Sequence, residues 1–222
     1  MTEETINISN NLDKYLTGFK EERKKNLYGA FQQLAGKLLY GGHFVVADEN
    51  DNVIRKVFLH GVEFYYHEEN DGKVKDYIVY HRNPENPKKK PNPLPPFPTG
   101  SLHTHISGVD ITFEDQNEKA PDYRASALVR AFKVEEVKHV PGLLFSDKVD
   151  KRSTYFYNAL FMGANILGGH QMKVYWKENN VKECPKLEGE PRQNVGVLFN
   201  HETHKKEKTF KQDMRPWAFN KK

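Results

Sequence analysis

One carboxylate sits inside an apolar, strand-like run, a setting in which a charge does chemistry or is paired. In Phe58-Leu59-His60-Gly61-Val62-Glu63-Phe64-Tyr65-Tyr66-His67-Glu68-Glu69 the β-branched and aromatic residues predict a strand. Glu63 lies between Val62 and Phe64, where an ionisable group is rarely left without a partner or a task. Period-two alternation puts it on one face with Gly61 and Tyr65, so an acid and an aromatic ring point the same way. That suits a general base beside a stacking surface. The competing reading is a strand whose outer face carries a glutamate. A second apolar run, Ala125-Ser126-Ala127-Leu128-Val129-Arg130-Ala131-Phe132, carries a single cation. Arg130 opposite Glu63 would hold the acid ionised and share a water with it; equally, the two residue types make a structural ion pair.

His103 and His105 alternate on one face of another strand. As metal ligands they need a third, from His81, His60 or Asp110, and no HExxH motif accompanies them. As imidazoles in a pocket they supply flat walls or hydrogen bonds to a base. The chain has no P-loop, no GxGxxG and no GxSxG elbow. Its one cysteine, Cys184, lies in the turn-like Lys182-Glu183-Cys184-Pro185, a poor place for a nucleophile.

The elements that must position these groups are short and mixed. Leu12, Leu16, Phe19, Leu27, Phe31, Leu34 and Leu38 recur at helical spacing, predicting helix over 11–40 with a break near Gly18 and a stop at Gly41-Gly42. His43 to Ala47, a turn at Asp48 to Asn52 and the run from Val53 into Glu63 read as a hairpin. Residues 84–98 form a proline-rich loop carrying Lys88, Lys89 and Lys90. Gly100 to Phe113 reads as strand, kink, strand, Tyr155 to Leu167 as helix, and Met172 to Trp176, Asn194 to Phe199 and Trp217 to Phe219 as strands. No internal repeat or shift of composition divides the 222 residues. The expected fold is therefore one α+β domain over 1–222, a curved, mainly antiparallel sheet with flanking helices.

Composition narrows the class. Hydrophobic residues are 37% and charged residues 29% of the chain, and no apolar run approaches the ~20 residues of a membrane helix. The acidic, polar start predicts an intracellular, cytoplasmic protein without a signal peptide. One cysteine excludes a disulfide framework and a cysteine-rich zinc site. A net charge of +4 permits a polyanionic partner without demanding one.

The order of motifs resembles the alkyladenine (3-methyladenine) DNA glycosylase family. Leu34-Ala35-Gly36-Lys37-Leu38-Leu39 resembles its helix end before the first strand, and Gly61-Val62-Glu63-Phe64-Tyr65-Tyr66 the strand with the catalytic acid and a stacking tyrosine. Pro98-Thr99-Gly100-Ser101-Leu102-His103-Thr104-His105 is similar to the Pro-Gly-Thr-Leu-Tyr-Val-Tyr block, and Ala127-Leu128-Val129-Arg130-Ala131 to Val-Leu-Ile-Arg-Ala. Pro191-Arg192-Gln193-Asn194-Val195-Gly196-Val197 and Arg215-Pro216-Trp217-Ala218-Phe219 resemble the late segments. The blocks span residues 34 to 219.

The resemblance implies the family's fold and a monofunctional N-glycosylase that extrudes a damaged or modified base into a pocket. Glu63 would activate the attacking water, with Arg130 and a carbonyl near Val195 to Val197 holding it. Tyr65 would stack on the base, and His81, His103, His105, Ser107 and Asp110 would line the pocket. Lys88, Lys89, Lys90 and Arg192 would meet DNA. The implied partner is DNA, bound by a monomer without membrane, metal or other cofactor. The chain departs from the family where tyrosines are replaced by His103 and His105, where Ser107 stands in place of a duplex-wedging tyrosine, and at the acidic Asp110. Three rivals therefore stand beside it: a metal-dependent hydrolase on His103 and His105, a nucleic-acid-binding module without activity, and an inactive relative.

Overall fold

The computed structural model describes residues 10–70, 72–76, 78–79, 82–83, 94–138, 145–163, 171–180, 184–192, 198–200, 205–207 and 213–221. In chain order the elements are α1 (Asn10–Lys25), α2 (Leu27–Tyr40), β1 (Gly42–Asp48), β2 (Val53–Glu68), β3 (Leu102–His105), β4 (Gly108–Thr112), β5 (Tyr123–Glu136), α3 (Tyr155–Phe161), β6 (Met172–Glu178), β7 (Glu190–Arg192), β8 (Leu198–Asn200), β9 (Lys205–Glu207) and β10 (Asp213–Asn220). The expected class holds: an α+β domain whose curled antiparallel sheet is flanked by helices.

The helical region breaks later than its sequence suggests. Gly18 lies within α1, where an added Cβ would meet open space, so the helix passes through it. The interruption falls at Asn26, whose side chain accepts the Gly29 N–H (3.0 Å) and caps α2, as an amide at that position does well. Leu12, Leu16, Phe19, Phe31, Leu34 and Leu38 are all buried on the shared apolar face. The helix read over Tyr155 to Leu167 ends at Phe161.

The main sheet runs β3-β4-β5-β2-β1-β6, with β10 added beside β2 and β7 beside β10. The sixteen-residue β2 organises it. It pairs with β5 along its whole length on one edge. On the other, its first half pairs with β1, and Gly61 to Glu63 pair with β10. Glu63 therefore lies inside the sheet, between Leu128 of β5 and Ala218 of β10.

One face of the sheet packs on the helices. Phe31 of α2 stacks on Phe64 of β2 with ring centroids 4.7 Å apart, and meets Trp217 of β10 at 5.1 Å. Phe156 of α3 packs on Phe44 and Phe132. Each such buried ring contributes roughly 1.5–3 kcal/mol relative to exposure. Buried Arg55 ties α3 down by donating to the carbonyls of Ala159 (2.6 Å) and Met162 (2.6 Å).

The central strands change parity. Val57 and Leu59 face the core, and so do Val62, Phe64 and Tyr66. In β5 Ala125, Ala127 and Val129 face it, and then Phe132 and Val134. The register accounts for both switches. Leu59 pairs with Phe132, Gly61 with Ala131 and Val62 with Val129, so His60 is an extra residue in β2 and Arg130 an extra residue in β5. Such bulges re-aim a side chain. Here the bulged residue is the candidate arginine.

Candidate active site

Residues directly paired across antiparallel strands share a face, and one row carries Asp110 of β4, Leu128 of β5, Glu63 of β2 and Ala218 of β10. The next row holds Thr112, Ser126 and Tyr65. This is the face away from the helices.

Glu63 is 2% exposed. The Tyr65 hydroxyl donates to its Oε1 at 2.5 Å, and burial together with this carboxylate raises the phenol well above its ordinary range. Tyr65 therefore stays a neutral donor that orients the acid. The Arg130 Nε stands 3.8 Å from the other oxygen, Oε2, and its side chain is 33% exposed. That separation is too long for a hydrogen bond and suits a water shared between the two groups. The arginine sets a positive charge beside the acid from a position that solvent reaches.

Asp110 and His105 form the neighbouring wall. The Ser126 hydroxyl donates to Asp110 Oδ2 (3.1 Å), and the backbone N–H of Ser107 donates to His105 Nδ1 (3.2 Å). An imidazole that accepts at Nδ1 carries its proton on Nε2, which lies 3.4 Å from Asp110 Oδ1. The departure from the family at Asp110 is thus a buried acid with a histidine beside it. His103 stacks on His105, with centroids 5.8 Å apart and planes at 23°, and on Phe97 at 4.6 Å and 28°. Burial lowers the His103 pKa, which favours its neutral ring. The two imidazoles lie ring on ring instead of converging on a point, and no group of three metal-ligating side chains occurs among the described residues.

Phe97 reaches this stack through a clamp that sequence reading missed. Arg124, fully buried, bonds Glu69 (3.0 Å) and Glu114 (2.9 Å), and donates to the Leu94 carbonyl. Glu114 also accepts the Phe97 N–H (3.0 Å). Burial pushes the Glu114 carboxyl up to about 7, against the pull of Arg124.

One assignment changes. Arg192, expected to meet DNA, is 0% exposed. Its guanidinium bonds Asp76 (2.8 Å) and the Phe64 carbonyl (3.1 Å), and lies 4.7 Å from the centre of the Tyr65 ring. A buried arginine ion-paired to Asp76 is withheld from phosphate; it backs Tyr65. Tyr65, expected to stack on a base, already has Arg192 on its ring and Glu63 on its hydroxyl, so orienting the acid is a role it holds in the absence of any base. Ser107 is exposed in the β3–β4 turn, and its backbone rather than its hydroxyl engages the site. His81, Lys88, Lys89, Lys90 and Val195 to Val197 lie outside the described residues.

The residue most plainly overlooked is Ile106, 96% exposed at the tip of the β3–β4 hairpin. Its signal was present: one branched apolar residue between His105 and the turn pair Ser107-Gly108. Gly108 has φ +142°, and a Cβ there would press on Ser153 (2.7 Å) and Leu128 (3.0 Å), so glycine lets the hairpin sit tightly over the site.

Comparison with known protein families, curated proteins and solved structures yields no match to this chain. Among the described residues no helix is long and apolar enough to cross a membrane.

Proposed function

We propose that this protein is a monofunctional DNA N-glycosylase, a divergent member of the alkyladenine DNA glycosylase family. The observation that carries the reading is the Glu63–Arg130 pair: a buried carboxylate and a bulge-borne, partly exposed arginine 3.8 Å apart, a spacing that fits a nucleophilic water. An extruded nucleotide presents its anomeric carbon to that water. The water oxygen bonds to the carbon while Glu63 Oε2 takes a proton, and the bond from carbon to base nitrogen breaks with its electron pair leaving on the base. The base then takes up a proton, and the products are an abasic site and a free base. Tyr65 holds Glu63 Oε1 throughout. Asp110 and His105 offer an acceptor and a flat wall to the base. Ile106 supplies the apolar wedge that Ser107 lacks, since exposed branched side chains insert between base steps in this manner.

The test is base release from oligonucleotides carrying hypoxanthine, 1,N6-ethenoadenine or an alkylated purine, in excess EDTA. Release by the wild type, abolished in Glu63→Gln, is the expected result. No release from any of them contradicts the reading, and release that EDTA abolishes favours a metal-dependent hydrolase.

A further inference from the structure

A cleft beside the hairpin shares a wall with the site and has no part in the chemistry above. It encloses about 260 Å³ and is lined by Thr104, His105, Gly108 and Val109 on one side and by Thr154 and Tyr157 on the other. That is below the roughly 300 Å³ at which pockets for drug-sized ligands begin, and it suits one planar ring system. His105 is the common wall: it lines the cleft and its Nε2 reaches Asp110 in the site.

The surroundings point to a polyanion with rings. Ile106 at the hairpin tip, Tyr155 and Tyr157 on α3 and Met162 just after it are exposed large apolar residues. The segment entering α3, Asp147-Lys148-Val149-Asp150-Lys151-Arg152, exposes Lys148, Lys151 and Arg152 together with Asp147. Arg152 is held by Asp150 (2.7 Å) and lies over the Tyr155 ring at 3.8 Å. Tyr157, 46% exposed, offers a ring to whatever enters. Thr104 and Thr154 bring hydroxyls that donate and accept and so do not select among bases.

We propose that this cleft takes the nucleobase adjacent to the one in the Glu63 site, and that the protein thereby grips an unpaired stretch of strand. The inference rests on the glycosylase reading for its ligand class. A base stays in the cleft only if it has left the duplex stack, so two neighbouring bases are held out, one on each side of His105. Aromatic rings interleaved with cations are the usual means of holding a single strand without regard to sequence.

The test is fluorescence anisotropy of the full chain with a labelled oligothymidylate, alone and annealed to its complement. The single strand binds more tightly than the duplex. Tyr157→Ala weakens single-strand binding by about 5- to 150-fold, the worth of one base stacked on an aromatic ring, while Tyr157→Phe, which keeps the ring, binds as the wild type does. Tyr157→Ala binding the single strand as the wild type does overturns the cleft. If base release from damaged DNA persists in that case, the glycosylase reading survives it. A wild-type protein that neither binds DNA nor releases a base removes both, and one that prefers the duplex overturns the cleft alone.

Discussion

Two arginines stand six residues apart on β5, on the same face, and each faces a carboxylate from β2 or its continuation. Arg124 is buried and saturated: Glu69, Glu114 and the Leu94 carbonyl take its donors at hydrogen-bonding distance. Arg130 is a third exposed, and the Glu63 carboxylate stands 3.8 Å away. The first grouping is closed, so its energy goes into holding the chain segment at 94–97 against the sheet. In the second, cation and anion stand too far apart for a direct hydrogen bond, at a spacing that suits a shared water. The local cause is the bulge: Arg124 pairs in register with His67, whereas Arg130 is the extra residue in the strand. Residue type does not separate a structural ion pair from a reactive one. Spacing and solvent access do.

If this contrast is right, variants at the two ends fail differently. The largest effect is at Glu63: Glu63→Gln lowers base release by about 10²- to 10⁴-fold, the usual share of a general base, and leaves the urea unfolding midpoint unchanged. At the closed end, Arg124→Met strands two buried carboxylates and lowers unfolding free energy by about 3–5 kcal/mol, read by urea denaturation.

The same clamp gives a pH signature. Glu114 holds its proton in the folded chain to about pH 7, whereas its ordinary value is 4.5. Between those values the folded chain binds a proton that the unfolded chain has released. Stability therefore falls as pH rises through this window, on the order of 3 kcal/mol in total, and is not lost further above it. Glu114→Gln flattens that slope, as thermal unfolding across the same range would record. The smallest effect is at Arg130: Arg130→Gln slows base release about 100-fold but changes stability by less than about 1 kcal/mol. A large stability loss there would make the two arginines equivalent and dissolve the contrast.

Much of this was legible in the sequence because it was local. The β1–β2 hairpin, the hairpin of β3 and β4, and the strands carrying Glu63 and Arg130 announce themselves by apolar runs broken by turn residues. The bulges too were written in the residues, since the apolar positions change from odd to even between Leu59 and Val62 and between Val129 and Phe132. What escaped was non-local. Nothing near Arg192 in the chain indicates that Asp76 waits for it, and its place in the Pro191 to Val197 block points to DNA instead. Arg124 sits between Tyr123 and Ala125 in the sequence with no hint that Glu69 and Glu114 converge on it. The helix break was misplaced because glycine suggested flexibility, whereas the side-chain amide of Asn26 decides where a new helix starts.

The most direct measurement follows DNA affinity and base release together in the Glu63→Gln protein, with lesion-bearing oligonucleotides in excess EDTA. Wild-type affinity with release lost is the expected result. Release at the wild-type rate would contradict it, because the acid at the centre of the open pair would then have no part in the reaction.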